Sequence, residues 1–315
     1  MRTIIKIRGE EMNSRTVKRD KFLRELPLYC MLIPAVILVG IYSYGPMGGL
    51  IMAFQNFRLG SGFAGSEFVG FENFVRLFNL PNIWDVLRNT VVIALGKMIG
   101  GIIAPVTFAL LLNEVRQLFI KRSYQTLVYL PNFLSWIILS GIFIDILSPS
   151  QGIVNRMLGH LNIGPIFFLG DRFWFPITMI LTEIWKGFGF GSVIYLAALT
   201  SIDPSLYEAA EIDGAKRWRQ TWHITLPGMT SIIILMTVLS MGGILNGGFE
   251  QIFNMINPAV MSTGDILDTL VYRMGIEGSQ FSIATTAGLF KSLVSLVFIV
   301  ASYYLAGKWA GYRIF

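Results

Sequence analysis

Long apolar stretches alternate with short polar ones along the whole chain. Runs of roughly 20 apolar residues predict a polytopic helical membrane protein. A helix needs about that length to cross the hydrocarbon core, and it pairs all its backbone groups internally. Six spans are expected, at about 26–45, 86–112, 124–147, 173–199, 226–246 and 281–306. Each holds few charges and is bounded by polar or Gly/Pro punctuation. The first apolar core, Leu26 to Tyr44, is too long for a signal peptide, and no small-x-small cleavage site closes it, so it is expected to be a retained span.

Composition agrees with the pattern. Of 315 residues, 54% are hydrophobic and 14% charged, with mean hydropathy +0.61. A soluble domain carries about a quarter charged residues. The lone Cys30 makes no internal disulfide, and two histidines, His160 and His223, offer no metal-ligand cluster. The net charge of +6 needs no nucleic acid partner, because no basic stripe with interleaved aromatics lies on a soluble element. It follows instead from membrane orientation. With the N-terminus inside, the inner segments carry sixteen Lys and Arg and the outer loops six, while Lys97, Lys186 and Lys291 fall within spans. That bias sets both termini in the cytoplasm and puts the 203–227 segment there too. The expected organisation is a basic cytoplasmic segment over 1–24 followed by a membrane domain over 25–315.

The 203–227 segment is polar and helical in pattern, between two apolar runs. Asp203 caps the helix and Pro204 sits at its first position, where no hydrogen bond is lost. Glu208 and Glu211 follow near the positive end of the helix dipole. Ala209 shares a face with Asp213, and Ala210 with Gly214, giving a small-residue surface that another protein can approach closely. Gly214 lets the backbone turn. Trp218 and Trp222 are spaced to lie on one side, as interfacial anchors do. Without a partner, the segment reads as an amphipathic interfacial helix.

Ionisable residues at membrane depth mark a pathway or a buried pair. Lys97, Glu183, Lys186 and Lys291 qualify. Glu183 and Lys186 are three apart and are expected to pair on one helical face, or to form a polar wall of a cavity. Trp185 could stack on a sugar ring or fill space, whereas Tyr195 reads as packing. Gly96-x-x-x-Gly100 and Gly187-x-Gly-x-Gly191 lack the strand-then-helix setting and the Lys-Ser/Thr ending of nucleotide loops, so close helix packing is expected. After the fifth span, Asn246, Phe249, Glu250 and Gln251 combine amide, carboxylate and aromatic groups as a carbohydrate site does. A Gly-loosened helix end with polar capping groups is the other reading.

The spacing Glu208-Ala209-Ala210, three residues, Gly214, nine residues, Ile224-Thr225-Leu226-Pro227 resembles the coupling loop of type I ABC importer permeases. Phe68–Phe74, Leu111–Glu114, Tyr129–Trp136 and Gly248–Asn254 resemble permeases of complex-carbohydrate importers of the maltose and multiple-sugar class. The likeness covers nearly all of 25–315. Gly247 and Gly248 depart from the maltose-type pattern, which is richer in Asn there. The resemblance implies the type I permease fold, all-α with six transmembrane helices and a cytoplasmic coupling helix, in a bacterial cell membrane. It implies a transport subunit with no ATPase site and no cofactor of its own. ATP and Mg would be bound by two partner ATPase subunits. A second homologous permease and an extracellular or periplasmic sugar-binding protein would complete the complex, among membrane lipids. Glu208, Ala209, Ala210, Asp213 and Gly214 would engage the ATPase. Trp185, Glu183, Lys186, Asn246, Phe249, Glu250 and Gln251 are candidates for the substrate pathway.

Two other classes are weighed. A secondary transporter or channel would show inverted repeats with broken helices, and no convincing pair is visible. A membrane enzyme would need a nucleophile–base set or metal cluster within a span, and none is visible.

Overall fold

The computed structural model describes residues 25–310. The expected basic segment 1–24 lies outside the described residues. The chain divides into two compact units, one ending at Met52 and the other beginning at Ala53. The described residues of the first unit lie in one apolar helical run, α1 (Glu25–Phe54), whose last two residues belong to the second unit and whose apolar window is wholly exposed. It outlasts the expected span ending near 45. Gly45 and Pro46 were expected to stop the helix, yet a π turn (Gly40–Tyr44) and a 3-10 stretch (Gly45–Phe54) carry it on. Proline removes one backbone donor, and a change of helical winding absorbs that loss where the sequence stays apolar.

The second unit opens with a short antiparallel pair, β1 (Gln55–Asn56) and β2 (Glu67–Phe68), in which Gln55 faces Phe68. The side chain of Asn73 on α2 (Glu72–Phe78) donates to the carbonyls of Ala53 and Gln55 at 3.0 and 2.9 Å, fixing the pair to the helix. Two long helices follow as the centre of the fold, α3 (Ile83–Asn113) and α7 (Trp174–Thr200), and they form the most extensive helix pair among the described residues. Glycines permit the approach: a side chain added at Gly96 would strike Ile180, and one at Gly100 would strike Ile184. Gly189 meets the Val128 backbone and Gly191 the Pro105 ring. Both glycine motifs therefore serve helix packing, as small residues do in membranes.

The third expected span, 124–147, is not one straight helix. α4 (Leu118–Tyr129) runs through a 3-10 turn (Leu130–Phe133) into α5 (Trp136–Ile146), and the pair is bent by 103°. Pro131 lacks a backbone donor, and the Ser135 hydroxyl caps the new helix by accepting from Ile138 N. α6 (Ile153–His160) lies between α5 and α7 in the chain. The fourth span appears as α7. α8 (Pro204–Ile212) is the short polar helix, and α9 (Arg217–Met241) begins earlier and ends earlier than the expected 226–246. α10 (Phe249–Met255), α11 (Leu267–Tyr272) and the last span, α12 (Phe281–Ala310), complete the unit. Among the described residues, five helices are long and apolar enough to cross a membrane, six if the bent α4–α5 pair counts as one span.

The apolar core of the described residues forms three clusters. Ile93, Trp136, Phe175, Met179 and Ile252 join α3, α5, α7 and α10. Leu77, Val86, Leu267 and Ala287 join α2, α3, α11 and α12. Val106, Ala109, Tyr195 and Met229 join α3, α7 and α9, so Tyr195 packs as expected.

Candidate functional site

The first candidate site is the α8 hairpin. The Asp203 carboxylate accepts from Ser205 N at 2.9 Å, with Pro204 at the first helical position. That backbone donor holds the carboxyl below its usual range. At the other end Gly214 has φ +73°, Gly214 N donates to Glu211 O at 3.0 Å and Ala215 N to Ala210 O at 2.8 Å. These two bonds form a Schellman closure, which needs a left-handed residue and therefore favours glycine. Tyr207 and Thr225 share a hydroxyl hydrogen bond of 3.0 Å that seats α8 against the start of α9, and Arg217 pairs with Glu114 at the end of α3. The hairpin is thus fastened at its ends while its outer face stays free. Glu208, Ala209, Asp213 and Gly214 are exposed, Ala210 is half-buried, and Ile212 is 87% exposed. Trp218 and Trp222 meet edge-on at 6.1 Å on one side of α9.

The second is a cavity of about 460 Å³ between α3, α7 and α9, floored by the turn that follows Met241. Its polar wall comes from Lys97, Glu183, Ser240 and Asn246. Lys97 is the centre of a buried network. Its ammonium donates to Gly247 O at 2.6 Å, to Gln251 Oε1, and to Glu183 Oε2 at 3.5 Å. The Gln251 amide in turn donates to Met179 O at 2.9 Å and to Thr182 Oγ1 at 2.7 Å. Gly248 has φ +86°, and a Cβ there would lie 2.6 Å from the Lys97 ammonium. The sequence departs from the maltose-type pattern where the backbone must make room for this lysine.

The expected site residues divide accordingly. Glu183 and Asn246 line the cavity together. Gln251 is fully buried, and its part is to hold Lys97 and α7. The expected Glu183–Lys186 pair does not form. α3 packs so closely along α7 that Lys97 reaches Glu183 first, and Lys186 turns over the Trp136 ring at 5.0 Å, a cation–π contact. Trp185, half exposed, meets Phe143 edge-on at 5.5 Å. Phe249 stacks on Phe253 at 5.1 Å with Tyr272 beside both, and Glu250 is exposed on α10. Sequence reasoning marked Lys97 as a charge at membrane depth but did not place it in the site. Its 150-residue separation from Gly247 hides the contact. It also missed Asp265, whose carboxylate is gripped by both Arg273 terminal nitrogens at 3.1 and 2.5 Å.

The sequence profile of the family described as "Binding-protein-dependent transport system inner membrane component" matches residues 96–310. The chain is 41% identical to Protein LplB of Bacillus subtilis, over 93% of this chain and 90% of that one. It is 39% identical to the polygalacturonan/rhamnogalacturonan transport system permease protein YteP of the same organism, over 91% and 90%. A crystal structure of a bacterial ABC transporter involved in the import of the acidic polysaccharide alginate contains a chain that superposes with TM-score 0.84. That chain shares 37% identity, with 92% of this chain and 98% of its own length covered. The apolar helices around a polar cavity, the extent of the family match and the shared fold lead to one conclusion: this chain belongs to the binding-protein-dependent transport system inner membrane components, and it is the membrane subunit of a bacterial ABC importer.

Proposed function

We propose that the subunit forms half of the pathway of an oligosaccharide importer and is driven through α8 by a separate ATPase. The observation that carries the coupling is the capped, Schellman-closed α8, whose Ile212 stands 87% exposed in a polar hairpin. An apolar residue held out on a rigid, small-sided helix suits a cleft on another protein. Glu208, Ala209, Ala210, Asp213 and Gly214 make that contact, and both termini lie with α8 in the cytoplasm. Two ATPase subunits bind ATP and Mg, a second permease closes the other half of the pathway, and a binding protein delivers substrate from outside.

The carbohydrate class is supported by the relatives named for polygalacturonan, rhamnogalacturonan and alginate transport. It is also supported by Glu183 and Asn246, which offer a carboxylate and an amide to hydroxyls in the cavity. Reconstitution of the complete transporter in proteoliposomes tests the reading through ATP-dependent uptake of labelled oligosaccharides. Uptake is expected to fall in Asn246→Ala and Glu183→Ala, the two residues that line the cavity. Wild-type kinetics in both would remove those residues from the pathway, and absence of any oligosaccharide uptake would reject the carbohydrate reading.

A further inference from the structure

Asn246 lines two cavities, the one around Lys97 and another of about 570 Å³ between the turn after α9, α11 and α12. The second is walled by Asp268 on α11 and by Lys291, Ser292 and Ser295 on α12. Lys291 lies ten residues into α12, about 15 Å along a helix rising 1.5 Å per residue, which is the middle of the span. An ion pair at that depth is costly unless it serves a polar task. Lys291 Nζ meets Asp268 Oδ1 at 2.5 Å, with 18% and 22% of the two side chains exposed. An ammonium has three donors and a carboxylate two acceptor oxygens. The pair uses one of each in the contact, so both signs of hydrogen-bonding capacity remain for the cavity. The Ser292 hydroxyl donates to Gly288 O at 2.9 Å and keeps its acceptor lone pairs.

Paired donors and acceptors in a groove of this volume suit a polyhydroxylated chain. From this juxtaposition we infer that the groove between α11 and α12 is a second oligosaccharide station, continuous with the first through Asn246. This inference rests on the carbohydrate reading above.

The test uses the complete transporter with its binding protein. Cys30, the sole cysteine, is replaced by Ser, and S295C is introduced. The new thiol is then labelled with a small charged methanethiosulfonate during ATP turnover, with and without saturating oligosaccharide. Labelling is expected, and substrate is expected to slow it at least threefold. S295W, which fills the groove, is expected to lower uptake at least tenfold while the permease pair still co-purifies.

Three results overturn the second station. They are an S295C thiol that labels without protection by substrate, a thiol left unreactive in the assembled transporter because the other permease covers it, and wild-type import by S295W. These are separable from failure of the carbohydrate reading, which the uptake of oligosaccharide by the unmodified transporter decides first.

Discussion

Replacing Gln251 by Leu takes away one partner of a buried cation and leaves the rest of the Lys97 network in place. Lys97 is 9% exposed at its side chain, so water does not compensate for the lost acceptor. A hydrogen bond from a charged donor contributes about 1.5–3 kcal/mol net, and the two amide bonds to Met179 O and Thr182 Oγ1 about 1 kcal/mol each. Thr182 retains its own bond to Thr178 O at 2.6 Å, which limits the second loss. Leucine recovers part of the difference by burying apolar surface at a fully buried position, about 1–2 kcal/mol. The net expected cost is about 2–3 kcal/mol, or a fall of roughly 5 °C in the unfolding midpoint for a large domain.

The decisive measurement is a double-mutant cycle on the detergent-purified transporter. Lys97→Met leaves Gln251 Oε1 without its donor and Gln251→Leu takes one of three acceptors from Lys97, whereas the double variant removes both ends of that bond. The double variant is therefore expected to be more stable than the sum of the single losses by at least about 1 kcal/mol. Additive losses would refute the reasoning, because they would mean that the two side chains do not share one buried network.

Gly214→Val forces a β-branched residue to φ +73°, at about 1–2 kcal/mol, and is expected to abolish uptake while membrane insertion is unchanged. Uptake assays beside a membrane-fraction immunoblot check it, and normal uptake with the ATPase still bound would sink the coupling role. Gly189→Leu drives a side chain into the Val128 backbone, so the yield of folded protein by size-exclusion chromatography is expected to collapse, with strain of at least about 1–3 kcal/mol. Arg273→Leu leaves the 6%-exposed Asp265 side chain without its cation, at about 3 kcal/mol, and thermal unfolding should show it; Arg273→Lys restores the charge without the two-pronged grip and is expected to recover only part. Asp203 has its carboxyl lowered by the Ser205 backbone donor, so its capping of α8 is present above the unfolded carboxyl value and is lost as pH falls through the folded one. ATPase binding by Asp203→Ala should accordingly be weaker than wild type at neutral pH, with the gap closing only under strongly acidic conditions.

The α8 hairpin was the most legible part of the molecule because its signals are local. Asp203 before Pro204, carboxylates near the helix start and Gly214 after its end each act within a few residues, and capping physics needs no tertiary partner. The glycine motifs were legible for a similar reason: the sequence showed that they lacked the setting for phosphate, which left packing. The bend within the third span was not legible because hydropathy registers length and apolarity but not direction, so Pro131 and Ser135 disappeared inside a continuous apolar run. Gly45-Pro46 misled in the opposite sense. Punctuation that ends a helix in water is bridged by altered winding where the surroundings are apolar.

Sequence alone determined the membrane class, the approximate places of the spans with ends off by up to nine residues, the charge bias and the capped helix between the fourth and fifth spans. Those follow from periodicity, capping and charge counts, which are properties of neighbouring residues. Only the tertiary structure decided which polar residues share a site. Glu183 took Lys97 on another helix over Lys186 three positions away, and Gln251 turned inward to hold that lysine. Asn246 came to stand between two cavities. The physical reason is burial: at membrane depth a charge takes the partner that packing brings within reach. Packing here is set by small residues such as Gly96 and Gly100 pressed against Ile180 and Ile184, about eighty residues away in the chain.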